Sequence, residues 1–169
     1  MGCYFGVDPG KKGAFALVDE NGYFVEAVPI PTMRSHEKNR EVYDFDSIEA
    51  LFKNYAPILE GAAVEGQHPF PSQMGGAIAN FSRGESLAFE WLLRSMGIPV
   101  IRPYPIRWQK VCLTEPGIET GDRSIATALV RWPGVNLRRT ARSTKNDDGI
   151  SDALHLAWYA REHFQGRLK

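Results

Sequence analysis

Three short β-prone runs open the chain with only tight turns between them, and this succession constrains the fold more than any other feature. Cys3 to Val7 is apolar and breaks at Asp8-Pro9-Gly10. Gly13 to Val18 is a second run, followed by Asp19-Glu20-Asn21-Gly22 with the Asn-Gly signal of a hairpin. Tyr23 to Val28 is the third, closed by Pro29 and Pro31. Residues 32–44 are polar and read as a loop.

Helix and strand signals then alternate. Asp46 and Ser47 mark a helix start, with Ile48, Leu51, Phe52 and Tyr55 at helical spacing. Gly61 to Val64 is a short strand that runs into Glu65, and the proline-broken stretch after it suits no regular structure. Residues 84–96 place Leu87, Trp91, Leu92 and Met96 on one helical face; Ile98 to Ile101 is a strand closed by Pro103 and Pro105. A helix opened by Gly121 or Asp122 carries Ile125, Leu129 and Trp132. A basic connector leads to a last helix from Asp148 to Phe164, packed through Leu154, Ala157 and Trp158. A strand run followed by alternation predicts an α/β fold, a mixed five-stranded sheet flanked by helices. This is the element order of a ribonuclease H-like fold. With 169 residues, no repeat and no dividing linker, the expectation is one domain over 1–169.

Composition narrows the function classes. The 16 Gly and 11 Pro are scattered, and 43% of residues are hydrophobic, so collagen-like and disordered readings fail. No apolar run approaches the roughly 20 residues needed to span a bilayer, and the start lacks the pattern of a signal peptide. Cys3 and Cys112 are too few for a disulfide framework or a cysteine zinc site. The chain therefore reads as cytoplasmic, with no membrane partner. Its zero net charge hides a division: residues 1–100 carry 8 Lys and Arg against 13 Asp and Glu, and residues 101–169 carry 12 against 7. Arg138, Arg139, Arg142 and Lys145 cluster in the basic part, as a solvated loop or as a phosphate-binding segment.

Asp8 and Glu65 each end an apolar strand. Either could simply start a turn, but a carboxylate there is costly unless paired or bound to a cation. The last helix adds Asp147, Asp148 and Asp152. Residues four apart project about 40° from each other, so Asp148 and Asp152 share a face roughly 6 Å apart. Capping accounts for one acid at the helix start, but not for Asp152 inside the helix. Four carboxylates without cysteine or paired histidine make a hard, oxygen-rich site that suits Mg²⁺ or Mn²⁺ rather than zinc. Two cations about 4 Å apart would serve phosphodiester cleavage there.

Gly6-Val7-Asp8-Pro9-Gly10, Glu65 and Asp148-Gly149-Ile150-Ser151-Asp152-Ala153-Leu154 resemble the RuvC family of Holliday-junction resolvases. Pro69-Phe70-Pro71, Asn80-Phe81-Ser82-Arg83-Gly84 and Pro105-Ile106-Arg107-Trp108-Gln109-Lys110 are most similar to its phage and plant-organelle branch. The resemblance implies a homodimeric, metal-dependent crossover junction endodeoxyribonuclease of DNA recombination and repair, phage-encoded and active in the host cytoplasm. It implies two Mg²⁺ or Mn²⁺ per site on Asp8, Glu65 and Asp152; Asp148 takes the fourth place by helix geometry, with Asp147 as the fallback if the helix starts late. In bacterial members the fourth ligand lies three residues before the last, where this chain has Gly149. Lys145 would meet the scissile phosphate, and Phe70, Arg83, Arg138, Arg139 and Arg142 the rest of a branched DNA substrate.

Phe70 could equally be a core or dimer-contact residue. His68 and His155 could shuttle protons or be passive neighbours, and Lys11-Lys12 could meet a phosphate or edge a hairpin. Trp91, Trp132 and Trp158 read as core or interface, Trp108 as part of a phosphate-contacting loop, and residues 87–96 as the dimer helix. A non-cleaving junction-binding protein would not need converging acids. An actin-like or sugar-kinase ATP-binding protein needs two such domains. An exonuclease or an RNA–DNA hybrid nuclease on the same fold is the serious competitor.

Overall fold

The structure, a computed structural model, describes residues 2–35, 41–67, 77–115 and 120–168, with the backbone alone over 77–83. The expected meander is present as β1 (Cys3–Asp8), β2 (Ala14–Asp19) and β3 (Phe24–Pro29), each antiparallel to the next. A small ladder, β4 (Thr32–Arg34) with β5 (Glu41–Tyr43), occupies the segment read as loop. It forms because Tyr43 is buried against Phe89, ring centroids 5.7 Å apart, and anchors a strand that its polar sequence hides. Helix α1 (Phe45–Tyr55) starts one residue before the expected Asp46, because Asp44 caps it by accepting from the Ser47 amide at 3.1 Å.

After a 3-10 turn, β6 (Leu59–Val64) pairs parallel with β1, and β7 (Val100–Ile101) pairs parallel with β6. The sheet order is β3-β2-β1-β6-β7, the mixed five-stranded sheet that the element order implied. Helix α2 (Ala77–Ser95) joins β6 to β7, and α3 (Pro105–Cys112), α4 (Thr120–Arg131) and α5 (Asp148–Phe164) follow. Among the described residues, no helix is long and apolar enough to cross a membrane.

Alternation along the strands loads both faces of the sheet. Phe5, Val7, Phe15 and Leu17 point toward Phe52, Phe89 and Leu93 of α1 and α2. Tyr4, Ala14, Ala16, Val18 and Ala63 point toward Ala153, Ala157 and Ala160 of α5. Gly6 lies on that second face, where a Cβ would stand 2.0 Å from the Ala153 carbonyl oxygen and 2.3 Å from the Ala157 amide nitrogen. Only glycine lets the backbone of α5 approach β1 so closely. That approach brings the first turn of α5 to the carboxyl end of β1.

Some apolar positions on the expected helical faces lie outside this chain's core. Trp91 is 71% and Leu87 51% exposed on the outer face of α2, and Leu129 is exposed on α4. Helical spacing identified a face correctly but not what covers it. Trp132 is buried and Trp158 half-buried, and Cys3 and Cys112 are buried free thiols.

Candidate active site

The carboxyl ends of two adjacent parallel strands create the site. Asp8 closes β1, and Glu65 follows β6 directly, its amide donating to the Val7 carbonyl at 2.9 Å. Helix α5 then contributes Asp152 one turn above Asp148. Asp8 and Glu65 sit where strands end and Asp152 lies in the second turn of α5, so each acid is carried by or directly follows a regular element.

Protein donors hold these carboxylates. Glu65 Oε1 accepts from the buried Trp108 Nε1–H at 2.9 Å, and its Oε2 from Gln67 Nε2 at 2.9 Å. Asp152 Oδ1 accepts from the Ser124 hydroxyl, whose oxygen lies 2.8 Å from that of Ser151. Burial raises the Asp8 carboxyl well above its ordinary range, and the charges of Glu65, Asp152, Asp148 and Asp147 raise it further. Burial likewise raises Glu65, against the lowering effect of the Trp108 and Gln67 bonds. Asp152 is pushed up to about 7, by burial first, with the nearby acids adding to it and the Ser124 bond opposing. These groups resist being charged together, so they share protons or require cations.

Gly149 explains the departure from the expected acid spacing. A Cβ there would lie 2.5 Å from the Lys12 carbonyl oxygen, 3.1 Å from Asp8 Oδ2 and 3.2 Å from Asp147 Oδ1. No side chain fits. A further acid must come from elsewhere on the helix, and Asp148 is exposed on its first turn, its Oδ1 accepting from the Gly149 amide at 3.1 Å.

Asp147, the fallback for the fourth acid, is engaged by the protein itself. It caps α5, with Oδ1 accepting from the Ile150 amide at 3.2 Å. Arg139 grips both its oxygens, at 2.7 and 3.0 Å. The same guanidinium donates to the Lys12 carbonyl, so Arg139 pins the connector to the β1–β2 turn. Arg139, expected as a phosphate contact, thus spends its Nε and Nη2 donors on the protein itself. Arg138, Arg142 and Lys145 are exposed, with no side-chain hydrogen bond or ion pair to described residues. Lys12 is exposed and Lys11 half-buried. Phe70 and His68 lie outside the described residues, as does the side chain of Arg83.

Trp108 corrects another expectation. It is fully buried in α3 rather than exposed in a phosphate-contacting loop, while Arg107 and Lys110 on either side face solvent. Sequence reasoning also passed over Ser124 and Gln67. The one available signal for Trp108 was an indole between Arg107 and Lys110, a side chain that usually finds an acceptor for its N–H when buried.

The donor set is all oxygen, crowded and short of positive charge, which fits a hard divalent cation. Among the described residues, no group of three or more His, Cys, Asp or Glu side chains stands close enough together to hold a metal ion as it is. The acids feel one another's charge while protein hydrogen bonds hold them.

No protein-family model matches the chain, and no curated protein sequence does. Solved structures do. A T. thermophilus RuvC in complex with a Holliday junction substrate superposes with a TM-score of 0.64 at 17% identity, over 99% of this chain and 96% of that one. A second structure of Thermus thermophilus RuvC gives 0.55 at 15% identity, over 98% and 95%. With its mixed sheet, its flanking helices and this overlay along nearly the whole chain, the protein has the fold of RuvC.

Proposed function

We propose that this chain, as a single domain over 1–169, is a divalent-metal-dependent endonuclease that resolves four-way DNA junctions by paired nicks. The observation that carries the reading is the convergence of Asp8, Glu65 and Asp152 at one mouth of a RuvC-type sheet. The similar structure that holds a Holliday junction supports branched DNA as the substrate class.

Asp8, Glu65 and Asp152, with Asp148, would hold Mg²⁺ or Mn²⁺, two ions by resemblance. When bound, such ions activate water and stabilise the leaving oxygen of a phosphodiester. The chain itself fixes the geometry. Trp108 and Gln67 orient Glu65, Ser124 orients Asp152, and Gly6 and Gly149 allow α5 to approach β1. Arg138, Arg142 and Lys145 offer exposed cations to DNA phosphates on the segment that leads into α5. Paired nicks need two sites related by a two-fold axis. The exposed Leu87 and Trp91 on α2 supply an apolar face for that homodimer.

Cleavage of a four-way junction, a linear duplex and an RNA–DNA hybrid by the same preparation tests the reading. Symmetric nicks in the junction alone, lost in Asp8→Asn, Glu65→Gln and Asp152→Asn while junction binding persists, are expected. Preferential cleavage of the hybrid or duplex would overturn junction selectivity. Full cleavage by any of the three variants would overturn the acid assignment.

A further inference from the structure

His155 is fully buried on α5, one turn beyond Asp152. Its ring lies near two indoles, 6.2 Å from Trp108 and 5.5 Å from Trp132. Both ring nitrogens have partners. Nδ1 stands 2.9 Å from Arg131 Nη1, and Nε2 stands 3.0 Å from the Ser124 carbonyl oxygen.

These partners determine the tautomer. A guanidinium can only donate, so Nδ1 must accept; a carbonyl can only accept, so Nε2 must carry the proton. Protonating Nδ1 would set N–H against N–H beside a fixed cation. Burial pushes His155 down to about 4, the Ser124 carbonyl opposes that shift, and the Arg131 charge adds to it. An imidazole so occupied has no proton to exchange with substrate, which removes the proton-shuttle reading of His155.

What it does instead follows from where its partners lead. The Ser124 backbone that His155 grips carries the hydroxyl that donates to Asp152. The Arg131 that it accepts from also donates through Nη2 to the Cys112 carbonyl at 2.8 Å, which ends the helix bearing Trp108. The Cys112 thiol closes the loop at 3.5 Å from the His155 carbonyl oxygen. One imidazole thus ties α3, α4 and α5 together at the level of the carboxylates.

We propose that His155 is a positioning residue for the acidic site: a constitutively neutral Nε2–H imidazole that locks α4 and α3 onto α5, holding the Ser124 hydroxyl on Asp152 and the Trp108 indole on Glu65. The proposal rests on the reading of these acids as a cation site, but it does not depend on which DNA is cut.

Mn²⁺ binding, followed by electron paramagnetic resonance at one fixed pH without DNA, tests it apart from cleavage. Groups that orient metal ligands typically change affinity by about 10–100-fold when lost. Ser124→Ala and His155→Phe should each weaken Mn²⁺ about 10-fold. His155→Gln, whose amide can still donate to the Ser124 carbonyl, should stay within about 3-fold of the native protein. Wild-type affinity in a folded His155→Phe would overturn the proposal, whereas failure of the native protein to bind Mn²⁺ would overturn the cation-site reading itself. Imidazole ¹⁵N correlation spectra of the unmodified protein give a second test that needs no variant to fold. One of the four histidines should show the Nε2–H pattern unchanged between pH 5.5 and 8 and should vanish in His155→Gln. A Nδ1–H pattern, or titration in that interval, would contradict the assignment.

Discussion

The two faces of the sheet are built from opposite materials. On the face toward α1 and α2, Phe5, Phe15, Phe52 and Phe89 meet with ring centroids 4.9–6.3 Å apart. On the face toward α5, glycine and alanine bring backbones together, and polar groups are buried among them: Ser124, Ser151 and His155. Large rings supply apolar area but tolerate small displacements. Small residues supply less area and fix distance. The protein therefore stabilises itself on one face and positions its acids on the other.

The largest effects should separate these roles. Gly6→Ala adds a methyl that neither the Ala153 carbonyl nor the Ala157 amide can avoid, so α5 must lift from β1. We expect a loss of more than about 4 kcal/mol, seen as failure to fold or as a folded protein without Mn²⁺ binding. Phe52→Ala should cost about 3–5 kcal/mol through its cavity, read by denaturant unfolding, while junction cleavage below its lowered melting point stays near native. If Phe52→Ala abolished cleavage in the folded protein, or Gly6→Ala left metal binding intact, the division of labour between the faces would be wrong.

A smaller effect sharpens the picture of the connector. Arg138→Ala with Arg142→Ala should lower the slope of log affinity for a junction against log salt by about two, one for each DNA phosphate that is no longer neutralised. Arg139→Ala should leave that slope unchanged and lower the melting temperature instead, because it frees Asp147 and the Lys12 carbonyl. An equal change in slope from both substitutions would return Arg139 to the DNA.

The same contrast explains what the sequence made legible. The strand runs ending in Asp8 and Glu65, the sheet class and the span of α5 are local patterns, and the structure reproduces them. Partnerships across long separations were not legible. Trp108 bonds Glu65 over 43 residues, Ser124 bonds Asp152 over 28, and Arg139 reaches Lys12 over 127. Nothing within any of those segments names its partner. Gly149 could be read only as a missing acid until the Lys12 carbonyl beside it showed why no side chain fits. Trp91 shows the limit in the other direction, since periodicity finds an apolar face but cannot say whether this chain or another covers it.

The central claim, that Asp8, Glu65 and Asp152 form one crowded cation site, is tested most directly by melting the metal-free protein between pH 6.5 and 8.5. Carboxyls whose native pKa lies above the unfolded value stabilise the fold while protonated, and that contribution is lost as pH rises through the native value. Asp152, at about 7, loses its proton within this window, and burial with the neighbouring acids holds the Asp8 carboxyl well above its ordinary range. His155 works against them only below about 6.5, where the unfolded imidazole begins to charge. The melting temperature of the metal-free protein should therefore fall across the window, millimolar Mn²⁺ should restore it, and Asp8→Asn should flatten both responses. A melting temperature independent of pH and of Mn²⁺ in the native protein would contradict the claim.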